Sequence, residues 1–483
     1  MKLLILNLQR VVLSSAVGLL ICLIPIGSYA DIRLPALFSD GMVLQQKDHV
    51  AFWGWATAYE EITIGASWSP NEVKSTADST GRWFTRIHTP SAGGPYEINI
   101  FGLKDTITLK QVLIGEIWLC SGQSNMEFPF GLQGGWKTGV FNYEKEVEAA
   151  SYPNIRMFQV KRNTSATLET DIEGKWEYCE PEFAANFSAV AYYFARELAE
   201  KMKCPVGIIH SSYGGTAIEP WMGAHVFNED TTKYDFREQL SELAQWETNN
   251  SGQNPSVRYP TVLYNRMIAP LVPFTIRGIT WYQGESNSDR PKAYQHLFPA
   301  LIESWRNDWK RPLPFYYVQL APHFEKGPLI REAQLLTLKR VANTGMAIIT
   351  DVGDSLDIHP RNKRIPGKRL ARLALANVYG FDEVYPSGPI YDTMSVAGGK
   401  IKLSFDFAEG LHSKGGELTE FEICGPDRIF VKAAAVIEGN TVVVSNAAID
   451  QPVAVRYAWK NFFRPTLYNG AGLPASSFRT DNW

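Results

Sequence analysis

The sequence predicts an α/β layer sandwich with a mostly parallel sheet, set between two β-rich segments. Three observations carry that expectation. Between residues 111 and 385, apolar runs of strand length alternate with stretches of helical spacing. From 31 to 110, and again from 386 to 483, short strand patterns are separated by turn residues. A chain of 483 residues is also too long for one small core, which favours two or three domains.

The elements follow in order. Lys2 and Arg10 precede an apolar run from Val11 to Ile26, and "GSYAD" offers a small-residue cleavage site after Ala30. Residues 1–30 therefore read as a secretory signal, with the mature chain starting near Asp31 and exported to the periplasm or the cell exterior. The run is shorter than the roughly 20 residues of a spanning helix, so no stable membrane insertion is expected after cleavage. Bulky Ile21 before Cys22 disfavours a lipid anchor. In 31–110 the strand patterns are "MVLQQ", "VAFWGWA", "EITIGASW", "RWFTRIHT" and "YEINIFG". In 111–385 the buried-strand candidates are "GEIWLC", "VGIIHSS", "RGITWYQ", "PFYYVQLA" and "GMAIITDVG". The helices between them include "SAVAYYFARELAEKM" and "GKRLARLALANVYG", the latter with Leu370, Leu373, Ala374 and Val378 on one face. After residue 386, "KIKLSFDF", "LTEFEICGP" and "TVVVSN" return to β spacing.

Composition narrows the function classes. Hydrophobic content of 45% with 20% charged residues is ordinary for a soluble globular protein. A net charge of -3 gives no electrostatic case for nucleic acid or an anionic membrane as partner. The four cysteines beyond the signal, Cys120, Cys179, Cys204 and Cys424, are too sparse for a disulfide scaffold, though one incidental bridge stays open. With no Walker loop, paired CxxC or HExxH, neither metal nor organic cofactor is expected. The sequence carries no reading of oligomeric state.

The chemistry gathers at strand ends, where an α/β sheet places its ligand groups. "GEIWLC" runs into "SGQSN", "VGIIHSS" into "YGGTAIEPW", "RGITWY" into "QGESN", and "GMAIITDVG" into "DSLDIHPRNK". Ser124 fits a nucleophile on a tight strand-to-helix turn, because Gly122 permits the turn and the Ser124 amide then opens the next segment. Gly214 and Gly215 allow backbone N–H groups to approach a substrate oxygen, and Gln283 supplies a side-chain amide donor. His359 follows an apolar strand beside Asp357 and before Pro360, as a general base for a serine requires, with an ordinary titration at roughly pH 6 to 7.

"GQSNM", "GGTAIEPW", "WYQGESN" and "DIHPRNK" together resemble the four sequence blocks of the SGNH (GDSL-like) hydrolases, in the version found in the sialate O-acetylesterase family and related acetylxylan esterases. "LPALFSDGMVLQQ" and "LYNGAGLPASSFRTD" resemble the bacterial branch of that family, so the likeness covers nearly the whole mature chain. The ordered set of blocks is specific where "GQSN" alone is weak. The resemblance implies a three-layer α/β/α domain and a serine esterase that removes O-acetyl groups from sugars, with sialic acid favoured and acetylated plant polysaccharide as the alternative. It matches Ser124 to the nucleophile, His359 to the base, and the Ser124 amide, the Gly214–Gly215 pair and Gln283 to the oxyanion donors.

Two departures stand out. Gln283 occupies a place where many SGNH enzymes have asparagine, and the residue three before His359 is Leu356, where many members have the acid. The acid is then Asp357 or Asp354. In an extended loop residues two apart share a side, which favours Asp357.

Blander roles compete for several residues. Ser121 and Cys120 read as buried structural groups, and Glu127, Glu219 and Glu285 as carboxylates that orient loops through backbone amides. Trp136 and Trp221 are candidates for stacking on sugar. A non-catalytic carbohydrate-binding protein on the same scaffold is the rival from another class, and the joint presence of Ser124, Gln283 and His359 argues against it.

Overall fold

The computed structural model describes residues 31–132, 138–229, 235–250 and 252–483. The signal reading for residues 1–30 and the stacking candidate Trp136 lie outside them.

A single long strand, Thr106–Gly122, organises the chain. Its first half pairs antiparallel with Gly93–Phe101 and, at Leu113–Gly115, parallel with Val43–Gln45, within the N-terminal β segment. Its second half is the centre of a parallel sheet. Val206–Ser212 lies on one side, followed by Tyr152–Gln159 and an antiparallel edge strand, Trp176–Cys179. Gly278–Tyr282, Phe315–Gln319 and Thr344–Ile348 lie on the other. The expected boundary at 110/111 thus falls inside one continuous strand. The chain builds one flank before crossing to the other, so the C-terminal end of Thr106–Gly122 is the switch point at which α/β sheets open a crevice for ligands.

The central strands are buried on both faces, which explains their unbroken apolar runs. On one face Trp118 packs edge-on against Phe194 and stacks on Tyr316, under the mutually packed helices Ala189–Met202 and Arg364–Asn377. On the other face Trp281 meets Trp305 and Tyr317 meets Phe298, under helices Pro291–Trp309 and Pro328–Arg340. Helices on both faces make the three layers that the resemblance implies. Ser188 joins a helix to the turn that follows Thr106–Gly122: its Oγ caps Ala189–Met202 by accepting from the Ala191 N–H and donates to the Met126 carbonyl.

The C-terminal segment forms two antiparallel four-stranded sheets, one from Ile390–Ala397, Lys400–Asp406, Thr441–Ser445 and Ala434–Glu438, the other from Val431–Lys432, Phe421–Cys424, Ala454–Tyr457 and Phe478–Arg479. It docks on the central unit through polar contacts. Gln319 Nε2 donates to Ser476 Oγ at 2.8 Å, Thr350 Oγ1 donates to the Ala475 carbonyl, and fully buried Arg331 donates to the Lys460 carbonyl. Among the described residues no helix is long and apolar enough to cross a membrane.

Candidate active site

Gly122 makes the turn that leads to Ser124. Its φ is +143°, and a Cβ there would stand 2.2 Å from the Tyr282 carbonyl oxygen of the adjacent strand, so only glycine fits. The chain then enters a short helix, Ser124–Glu127, with the Gln123 N–H held by the Tyr282 carbonyl. Ser121, three residues earlier, is fully buried and donates its hydroxyl to the Ser211 carbonyl at 2.6 Å. Cys120 is equally buried, and burial pushes its thiol up to about 12, far from a reactive thiolate. Half-buried Ser124 instead faces His359: Oγ and Nε2 are 2.9 Å apart, a hydrogen-bond distance that joins residues 235 positions apart in the chain.

His359 sits on the loop after Thr344–Ile348, and Asp357 is beside it. The Asp357 Oδ1 accepts from the His359 N–H at 2.8 Å and stands 3.5 Å from Nδ1. Asp354 is engaged elsewhere, its Oδ1 accepting from the Leu356 and Asp357 N–H groups in a local turn. The loop is therefore turn-like and not extended, yet Asp357 is still the carboxylate at the imidazole. Burial, then the cation of Lys363, pull the His359 pKa down to about 4, against the raising effect of Asp357. The imidazole is thus neutral well below its ordinary range.

The donors around Ser124 divide into free and engaged groups. Among the described residues, the N–H groups of Ser124 and Gly215 have no protein acceptor. The Gly214 N–H donates to Glu127 Oε2 at 2.7 Å, and the other oxygen of Glu127 binds Arg162 at 2.6 Å. A Cβ on Gly214 would stand 2.8 Å from that carboxylate and 3.3 Å from Ser124 Cβ, so this glycine lets the two turns approach. Gln283 is fully buried, and its Nε2 donates to Asn287 Oδ1 at 2.7 Å and, more weakly, to the Thr216 carbonyl at 3.3 Å.

The three glutamates do orient loops, though backbone amides are a minority of their partners. Glu127 takes the Gly214 amide, whereas Glu219 accepts from Asn287 Nδ2 and Arg290, and Glu285 accepts from Asn125 Nδ2. Trp221 is fully buried with its indole N–H on Thr216 Oγ1 and its ring edge-on to Trp281, so it has no face to offer a sugar. The four described cysteines are buried free thiols.

Sequence reasoning gave no part in the site to Asn125 or Lys363, which are joined by a buried hydrogen bond behind Ser124. Both stand inside quoted motifs, and Lys363 is 1% exposed although it is a lysine. No local pattern marks such burial.

Comparison with known proteins gives the family and the fold. The family model described as "Carbohydrate esterase, sialic acid-specific acetylesterase" matches residues 114–376. Sialate O-acetylesterase of Mus musculus is 29% identical over 88% of this chain and 89% of its own, and the Homo sapiens enzyme is 29% identical over 92% of each. The crystal structure of a carbohydrate acetylesterase from Xanthomonas citri superposes with a TM-score of 0.83 at 36% identity, covering 94% of this chain and all of that one.

Proposed function

The chain belongs to the sialic acid-specific acetylesterase family of carbohydrate esterases, and from that premise we propose that it releases acetate from O-acetylated sialic acid by a Ser124–His359–Asp357 mechanism. That it is a carbohydrate O-acetylesterase follows from the family. The roles of individual residues and the choice of sugar are the proposal. One observation carries the residue roles: the 2.9 Å contact between Ser124 Oγ and His359 Nε2 at the sheet's switch point.

In this reading His359 takes the Ser124 proton as Oγ attacks the acetyl carbonyl. The tetrahedral oxyanion meets the Ser124 and Gly215 N–H groups, which have no competing protein acceptor. Gln283 joins them by releasing its long contact with the Thr216 carbonyl, while Gly214 serves as the close-packed wall anchored by Glu127. Imidazolium, steadied by Asp357, then protonates the departing sugar oxygen. Water, deprotonated by His359, attacks the acetyl-enzyme and frees acetate and Ser124.

The sialic acid assignment draws on the substrate named for the matching family and for the mammalian relatives. Export to the periplasm or cell exterior draws on the signal pattern of residues 1–30. Deacetylation of mucin sialic acid, compared with acetylated xylan under equal conditions, tests the substrate. Preference for xylan would move the enzyme to the plant-polysaccharide alternative. Hydrolysis of neither substrate, nor of p-nitrophenyl acetate, would favour the non-catalytic binding protein.

A further inference from the structure

Behind the Ser124–His359 pair lies a buried polar chain that no step of the proposed reaction uses. Asn125, next to the nucleophile and 1% exposed, commits its whole side-chain amide. Its Nδ2 donates to Glu285 Oε1 at 2.5 Å and to the Ile358 carbonyl at 3.0 Å. Its Oδ1 accepts from Lys363 Nζ. Lys363 Nζ also lies 4.5 Å from the centroid of the Phe128 ring, and that ring is 6.4 Å from the imidazole of His359. Glu285 is 7% exposed, and its Oε2 has no hydrogen-bond partner among the described residues.

This chain ties three separate strand-end segments together. Asn125 belongs to the nucleophile helix, Glu285 to the loop after Gly278–Tyr282, and Ile358 to the loop that carries His359. Ile358 directly precedes His359, so the Asn125 contact pins the peptide from which the imidazole projects. A buried lysine and a buried carboxyl, bridged here by Asn125, are costly to take out of water. Fold stability is therefore a weak reason for their presence, and fixing one arrangement of neighbours is a better one.

We propose that Lys363 and Asn125 are positioning residues of the esterase reaction: the buried lysine holds the Asn125 amide in the orientation that clamps the Ile358–His359 peptide, and so sets the imidazole against the Ser124 hydroxyl. The proposal rests on the Ser124–His359 reading above. An electrostatic consequence accompanies it. Among the described residues, the groups facing His359 include Asp357 from its own loop, Lys363 from the start of Arg364–Asn377, His323 from the loop after Phe315–Gln319, and the Ser124 hydroxyl. Lys363 disfavours imidazolium, and burial pulls its own pKa to about 7, opposed by Glu285 and Asp357.

The test is kcat and KM for p-nitrophenyl acetate across pH, for wild type, Ser124→Ala, Lys363→Met and Asn125→Ala, with folding checked by circular dichroism. Wild-type activity that survives Ser124→Ala would defeat the underlying reading, a separate failure from those below. Lys363→Met is expected to lower kcat about 10- to 100-fold with KM nearly unchanged, as misplacement of a reacting group does. It should also move the acid limb of kcat/KM to higher pH, because a cation that disfavours imidazolium has gone. Asn125→Ala should show a comparable loss of kcat with a smaller move of that limb, since the lysine charge stays. An effect confined to KM, or a folded Lys363→Met with a kcat within about threefold of wild type whatever its acid limb does, overturns the proposal. If Lys363→Met does not fold, Asn125→Ala decides, and a kcat within about threefold of wild type overturns it.

Discussion

The Ser124 turn, Ser121–Asn125, and the His359 loop, Asp354–His359, meet at two hydrogen bonds, Ser124 to His359 and Asn125 to Ile358, but are held by different means. The turn ends a strand paired on both sides, its glycine is dictated by the neighbouring carbonyl, and Ser121, Gln123 and Asn125 are all buried. The loop has no strand partner. Leu356 is 85% exposed, the Asp357 side chain is 43% exposed, and the loop's shape comes from Asp354 turning back on two amides and from Asn125 gripping Ile358. Ser124 is therefore placed by the sheet itself, and His359 by side chains that reach across to its loop.

The largest effect expected from this contrast is at the turn. Ser124→Ala should remove nearly all esterase activity, on the order of 10⁶-fold in kcat for loss of a serine nucleophile. Ser121→Ala, which loses only a buried hydrogen bond to the Ser211 carbonyl, should keep a measurable share. Kinetics on the same acetyl ester check both. Equal activity of Ser124→Ala and wild type would place the nucleophile elsewhere.

The loop provides the next comparison. Asp357→Asn removes the carboxylate 3.5 Å from the imidazole and should cost up to about 10⁴-fold in kcat, whereas Asp354→Asn weakens a turn and should cost far less. If Asp354→Asn were the crippling change, the loop would rearrange in the working enzyme. Should neither variant lose more than about tenfold, a Ser124 and His359 dyad would describe the site better.

Gln283 belongs to neither region and probes the space between them. Gln283→Ala should lower kcat about 10²- to 10³-fold with little change in KM if its amide turns to the oxyanion in the transition state. A change in KM alone would leave its bonds to Asn287 and Thr216 as its whole role.

The same contrast explains what could be read from the sequence. The four motifs were visible because each follows an apolar strand, and a strand end fixes the location of what comes next. Tyr152–Gln159 and Trp176–Cys179 were not, since Pro153, Asn154 and Arg156 break the apolar run of the first, and the second has only four residues. The acid stayed open between Asp354 and Asp357 because a turn, not an extended loop, decides which carboxylate faces the ring. Trp221 was misjudged because proximity to a motif says nothing about which side of the sheet covers an aromatic ring. Lys363 and Asn125 pair across 238 positions, and no local spacing encodes such a contact.

The smallest effect on rate, and the finest test of the loop, is the pH profile. An exposed histidine base would give a limb at roughly pH 6 to 7. His359 is instead pulled down to about 4, first by burial and then by Lys363. The sign follows directly: only neutral imidazole accepts the serine proton, so a lowered pKa extends activity toward acid. We expect kcat/KM, which reports the free enzyme, to be nearly flat from about pH 5 to 8 and to fall as pH passes below about 4, with the fold verified across that range. Asp357→Asn should shift the limb further toward acid, because Asp357 is the group that raises the pKa. A limb at pH 6 to 7 in the wild type would mean that water reaches the imidazole in solution, and that the loop is looser than its contacts with Asn125 and Asp354 imply.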